Sequence, residues 1–370
     1  MSIRKNTFDL DNHYDLTNSG QNAYVGGPAL FSWGNNQSGQ LGQNNTTFYS
    51  SPIQIPGTTW SSIAARGFQS LATKTDRTLW AWGANGSGQL GQNNTTQYSS
   101  PVQIPGTTWN SIASGPNHSL ATKTDGTLWL WGINNSGQLG QSNTIYYSSP
   151  VQIPGTIWSS IVGGQKHSLA TKTDGTLWSW GYNAYGQLAQ NNLTEYSSPV
   201  QIPGTTWRSV STGFNHILAT KTDGTLWSWG YNYRGQLGQN NRTNISSPVQ
   251  IPGTTWSSIA TGQIYSLATK TDGTLWSWGY NALGQLGQNN TANYSSPIQI
   301  PGTTWSSIVG GNNNTAATKT DNTLWAWGVN NAGQLGQNNV TPYSSPVQIP
   351  GTTWSSIASG GNHLVSLLLQ

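Results

Sequence analysis

The sequence has no cysteine, a single methionine (Met1) and a single glutamate (Glu195), and only 6% of its residues are charged. Without cysteine there is no disulfide and no thiolate metal site, and a reducing compartment suits the chain. Charge this sparse does not describe a solvated disordered chain, and the charged helix formers are too few to support a helical one. No apolar run approaches the roughly 18 residues of a membrane span. The opening, MSIRKNTFDLDNHYDL, follows two basic residues with no apolar stretch, so no standard secretory signal is expected. The expected setting is the cytoplasm, or a virus particle or surface assembly that the protein joins as a soluble component.

What the chain has instead is 45 glycines, 20 tryptophans and many Asn, Thr and Ser residues, a composition of strands and turns. Its net charge of +4 forms no basic stripe. Six of the lysines (Lys74, Lys123, Lys172, Lys221, Lys270 and Lys319) each precede an aspartate by two residues, so specific nucleic-acid binding is not expected.

The tryptophans expose a repeat. The pair Trp-Gly begins at Trp33, Trp82, Trp131, Trp180, Trp229, Trp278 and Trp327, always at an interval of 49 residues. Seven such units run from Pro28 to Gln370 and leave residues 1–27 as an N-terminal arm. Each unit holds four short runs bounded by turn signals. In one unit these are SSIVGG from Ser159 (strand A), HSLATK from His167 (B), TLWSWG from Thr176 (C) and SPVQI from Ser198 (D). Asp-Gly between B and C predicts a tight hairpin with positive φ angles, and Pro-Gly between D and A predicts a turn. The C–D connection is too long for a hairpin and is expected to be a folded surface loop.

Four antiparallel strands repeated seven times predict an all-β, seven-bladed β-propeller. An open solenoid, the main competitor, is disfavoured by the ends. The last repeat stops at HLVSLLLQ, where a hairpin should follow, and the first begins with ALFSWG, a C strand without its B strand. The two fragments complete one blade and close the ring, which removes the exposed sheet edges.

All 20 tryptophans belong to three periodic sets. Trp178 and Trp180, two apart on a strand, point to one face, and the sets are expected to fill the wedge between blades.

The motif H-x-L-A-T-K-T-D-G-T-L-W-x-W-G-x-N-x-x-G-Q-L-G, with S-P-V-Q-I downstream, resembles the regulator of chromosome condensation repeat family over Pro28–Gln370. The resemblance implies a seven-bladed propeller. Functionally it implies a range, from a guanine-nucleotide exchange factor that also binds chromatin to domains of ubiquitin ligases and many bacterial proteins. Resemblance to the exchange factor implies a catalytic wedge inserted into one blade. The constant 49-residue interval leaves no room for one, so exchange is not expected.

Chemistry is sparse. His118, His167, His216 and His363 share one repeat position, which Gln69, Tyr265 and Asn314 occupy elsewhere. A metal ring would not accommodate that series, so a hydrogen-bonding role at the start of strand B is expected. No paired carboxylates, nucleophile elbow or phosphate loop are found. No catalytic residue, cofactor or metal is therefore expected, and the protein reads as a non-enzymatic binder.

In an up-and-down blade the A–B and C–D connections share one face of the disc. Variation concentrates there: two residues after each Trp-Gly tryptophan stand Asn35, Ala84, Ile133, Tyr182, Tyr231, Tyr280 and Val329. Three consecutive units carry Tyr182, Tyr185, Tyr231, Tyr233, Arg234, Tyr280 and Leu283, a candidate partner-binding sector. The alternative is a lectin-like binder with seven equivalent glycan pockets, which would use the uniform B–C/D–A face. Protein and glycan partners both stay open, and the oligomeric state is not determined.

Overall fold

The computed structural model describes residues 28–351 and 353–368. The expected arm, residues 1–27, lies outside the described residues. Twenty-eight strands, from β1 (Ala29–Gly34) to β28 (His363–Leu368), form seven four-stranded antiparallel sheets. Blade 1 starts at Trp60 and blades 2 to 6 at Trp109, Trp158, Trp207, Trp256 and Trp305. Blade 7 joins Trp354–Leu368 to Ala29–Ile55. In every blade the strand order is A, B, C, D. The A strands line the axis.

Closure takes the expected form. Strand β1 pairs with β28 along its whole length, from Ala29 opposite Leu368 to Gly34 opposite His363. One blade is thus built from both ends of the chain.

In blade 3 the strands are Trp158–Gly163, His167–Lys172, Leu177–Gly181 and Tyr196–Ile202. Strand D begins two residues earlier than SPVQI suggests. An irregularity between Ser179 and Gly181 lets Gly181 pair with Tyr196. The B–C turn also differs from a two-residue hairpin. Gly175 alone adopts positive φ, 78°, while Asp174 serves as an acceptor. Its Oδ1 receives the Thr176 amide at 3.0 Å and the Thr176 hydroxyl at 2.7 Å. Thr176 Oγ1 in turn receives Trp178 Nε1 at 2.9 Å. The Asp-x-Thr-x-Trp spacing is therefore a hydrogen-bonded relay that fixes the turn and one tryptophan ring.

The three tryptophan sets meet in one place. Trp158 packs edge-on against Trp178 and Trp180, with both centroid distances 6.2 Å. Trp180 is fully buried while Trp178 stays half-buried. Lys172 caps the cluster, its Nζ 4.6 Å from the Trp158 ring and 4.4 Å from Trp178. The repeat's lysines thus face tryptophan rings.

Blades are joined by backbone acceptors as well as by packing. Trp180 Nε1 donates to Gln138 O of blade 2 at 2.9 Å, and each Trp-Gly tryptophan does the same to its neighbour, from Trp82 with Gln40 O to Trp33 with Gln334 O. The Gly-Gln-Leu-Gly motif exists for this contact. Gly137 has φ +76°, and a Cβ on it would lie 2.6 Å from Ser197 of the next blade.

Candidate functional site

The C–D loops are folded on themselves. In blade 3, Asn183 Oδ1 accepts the Leu188 amide at 2.9 Å, and its Nδ2 donates to Asn192 O at 3.0 Å and Thr194 O at 2.9 Å. Asn134, Asn232, Asn281 and Asn330 hold equivalent positions in their own loops. The variable residues between these asparagines are consequently displayed on a rigid frame.

On that frame the structure brings the candidate tyrosines into contact. Tyr182 and Tyr185 lie 6.2 Å apart, Tyr185 reaches Tyr231 of blade 4 at 4.9 Å, and Tyr231 meets Tyr233 at 5.0 Å. The result is a ladder of four rings crossing a blade boundary. Arg234 continues it into blade 5, its Cζ 5.3 Å from the Tyr280 ring. Leu283, 43% exposed, lies in that same loop. Tyr233 is the most accessible ring, at 59%, whereas Tyr182, Tyr185, Tyr231 and Tyr280 are half-buried.

Two further charged residues approach Tyr182. Lys166, in the A–B turn of blade 3, places Nζ 5.8 Å from the Tyr182 ring. Glu195 is near enough to raise the Tyr182 phenol's pKa, behind the larger effects of burial and of Tyr185. Burial raises the Glu195 carboxyl too, against the pull of Lys166. Burial likewise raises Tyr231, with Tyr185 next in effect. The sequence signal for Lys166 was its uniqueness: Phe68, Asn117, Asn215, Ile264, Asn313 and Asn362 occupy its position in the other repeats. Leu193, 62% exposed in the blade 3 loop, extends the apolar character outward.

The histidine position is structural, as its residue types imply. His118 Nε2 lies 3.0 Å from Ser168 Oγ, and Ser168 donates to Gln138 O at 2.8 Å. The hydroxyl proton is committed to the carbonyl, so the imidazole donates from Nε2. His216 and His363 repeat this with Ser266 and Ser70. Gln69 instead spans to Gly115 O, His118 O and Ser119 Oγ. Tyr265 donates to Asn314 O at 2.6 Å. Burial drives all four histidines down to a pKa of about 3. No cluster of His, Asp or Glu suited to a metal occurs among the described residues, and no helix there is long and apolar enough to cross a membrane.

The RCC1-like domain family model matches residues 23–256 and 160–368. Among solved structures, human WBSCR16 superposes with a TM-score of 0.83 at 24% identity, covering 93% of this chain and 99% of that one. Prp20p from Saccharomyces cerevisiae, whose structure was described together with its binding properties to Gsp1p and histones, gives a TM-score of 0.85 at 22% identity. That match covers 94% of this chain and 92% of Prp20p. Yeast RCC1 (Prp20) bound to Kap60 gives 0.84 at 21% identity, over 94% and 90% of the two chains. No curated protein sequence matches the chain.

Proposed function

Because the chain belongs to the RCC1-like domain family, we propose that its propeller is a non-enzymatic platform that recognises a protein partner through the A–B/C–D face. The contact sector comprises Tyr182, Tyr185, Tyr231, Tyr233, Arg234, Tyr280 and Leu283, with Lys166 at its edge. The observation that carries this reading is the ring ladder from Tyr182 to Tyr233 across blades 3 and 4. Tyrosine and arginine supply large contact area at small entropic loss when they are already held in place, and they are enriched at interface hot spots. Protein binding is also what is described for Prp20p and Kap60. The constant 49-residue interval supports binding rather than nucleotide exchange, since no blade holds an insertion. Such a platform suits the cytoplasm or a larger surface or particle assembly.

A second reading, multivalent glycan binding, draws on a cavity of about 340 Å³ lined by Gln239, Asn240, Trp256, Lys270 and Trp276. Trp256, Lys270 and Trp276 have counterparts in five other repeats, while blade 7 has Leu368 and Phe31 at the last two positions, so this reading requires near-equal binding at six blades.

The deciding experiment immobilises the full chain and the triple variant Tyr185→Ala, Tyr233→Ala, Arg234→Ala. Proteins held by the first are identified and titrated against both. A loss of affinity of about 100-fold with a melting temperature unchanged within a few degrees is expected. Undiminished affinity in the triple variant, or saturation by six or seven equivalents of a glycan, overturns the sector.

A further inference from the structure

One residue breaks the repeat at the axis. Gly115, Gly164, Gly213, Gly262, Gly311 and Gly360 close the A strands of six repeats, and Arg66 replaces them in blade 1. The glycines are required by their neighbours: a Cβ on Gly115 would lie 2.2 Å from His118 Cε1. Blade 1 escapes that clash because Gln69 replaces the histidine there. Tyr265 and Asn314 also replace the histidine, but their repeats keep Gly262 and Gly311, so the arginine is the departure particular to blade 1.

Arg66 extends across the channel mouth from blade 1 to blade 4, where Nη1 donates to Thr212 O at 2.6 Å. A guanidinium has five N–H donors, and this is its one recorded hydrogen bond among the described residues. The axial cavity it faces has a volume of about 290 Å³ and no Asp or Glu in its described lining. Desolvation lowers the arginine's pKa to about 10. Arg66 is half-buried, so solvent moderates the cost of holding its charge without a counter-charge, and a bound anion relieves what remains. The rest of the lining says which anion. Ile112, Ile161, Ile259, Ile308 and Ile357 contribute apolar surface to a lining that they share with polar residues such as Thr212, Asn312 and Ser359.

We infer that the axial cavity binds one small organic carboxylate, its carboxylate on the Arg66 guanidinium and its apolar body among the isoleucines. The planar fork of arginine matches two carboxylate oxygens, and the isoleucines favour an anion that brings an apolar body with it. The cavity lies at the small end of ligand sites, which start near 300 Å³. The ligand therefore has a short chain or a single ring.

The test is calorimetric titration of the full chain with hexanoate, beside inorganic phosphate, hexylammonium and hexanol. The variants are Arg66→Met, which keeps reach without charge, and Arg66→Gly, which installs the residue of the other six repeats. Expected are one saturable hexanoate site per chain, affinity at least about tenfold weaker in both variants, and no saturable binding of hexylammonium or hexanol. Should a variant fail to fold, the four ligands on the unmodified chain still decide. Phosphate binding as tightly as hexanoate, hexanoate binding unchanged in Arg66→Met, or no saturable hexanoate binding overturns the inference. In the last case Arg66 is a strut across the channel and nothing more.

Discussion

His167 Nε2 lies 2.7 Å from Thr212 Oγ1 on the neighbouring blade. It takes that partner because Ile217 stands where the adjoining repeats supply Ser168 and Ser266. The same contact, with a different hydroxyl, ties His118, His216 and His363 to their next blades. Four of the seven blade junctions therefore depend on a buried neutral imidazole.

Acid should loosen those junctions. Each histidine titrates near 6.5 when unfolded and is held at about 3 in the fold by desolvation. A depressed folded pKa means the unfolded chain binds more protons between these values. Stability is thus complete above about pH 6.5 and falls as pH drops toward 3, by up to about 1.4 kcal/mol per pH unit for each histidine. Melting temperatures measured from pH 7.5 to 5 should fall steeply. Changing all four histidines to glutamine, the residue at Gln69, should flatten that dependence. An unchanged slope in the quadruple variant would refute the assignment.

The closing blade should be indispensable. Removing residues 364–370 deletes nearly all of β28 and leaves β1 and Trp354–Ser359 with unpaired edges. The melting temperature should drop by well over about 10 °C, given the loss of one sheet's pairing and its Leu364 and Leu368 packing. A truncated chain that melts with the full one would show that the ring does not need closing.

The two tryptophans of strand C should differ in weight. Trp180→Phe leaves Gln138 O with only the Ser168 hydroxyl and opens a void in a fully buried site. A cost of about 2–4 kcal/mol is expected in denaturant unfolding. Trp178→Phe, at a half-buried site with its Nε1 on Thr176, should cost about 1 kcal/mol. Equal costs would contradict the division of roles.

Residues 1–27 are proposed to add no strand, because residues 28–368 already supply four strands to each of the seven sheets. Their deletion should leave the far-ultraviolet circular dichroism and cooperative melting of the full chain in place. Loss of cooperative unfolding would show that the segment is part of the propeller.

The strict 49-residue interval, the orphan C strand at Ala29 and the missing hairpin after Leu368 were enough to specify seven blades and their closure. These are local facts of spacing, and a repeat that buries its faces only against copies of itself has few other solutions. The identity of the histidine position was legible for the same reason, since Gln69, Tyr265 and Asn314 share hydrogen bonding but no metal chemistry. Three things were not legible. Asp174 reads as a turn former, and only the folded hairpin reveals it as the acceptor that holds Thr176 and, through it, Trp178. Lys166 and Tyr182 lie in different connections, and whether such side chains meet depends on where two loops of one blade come together above the sheet. Arg66 and Thr212 are 146 residues apart. A closed ring of seven puts blade 1 across from blade 4, but only the folded ring shows that its channel is narrow enough for one arginine side chain to span it.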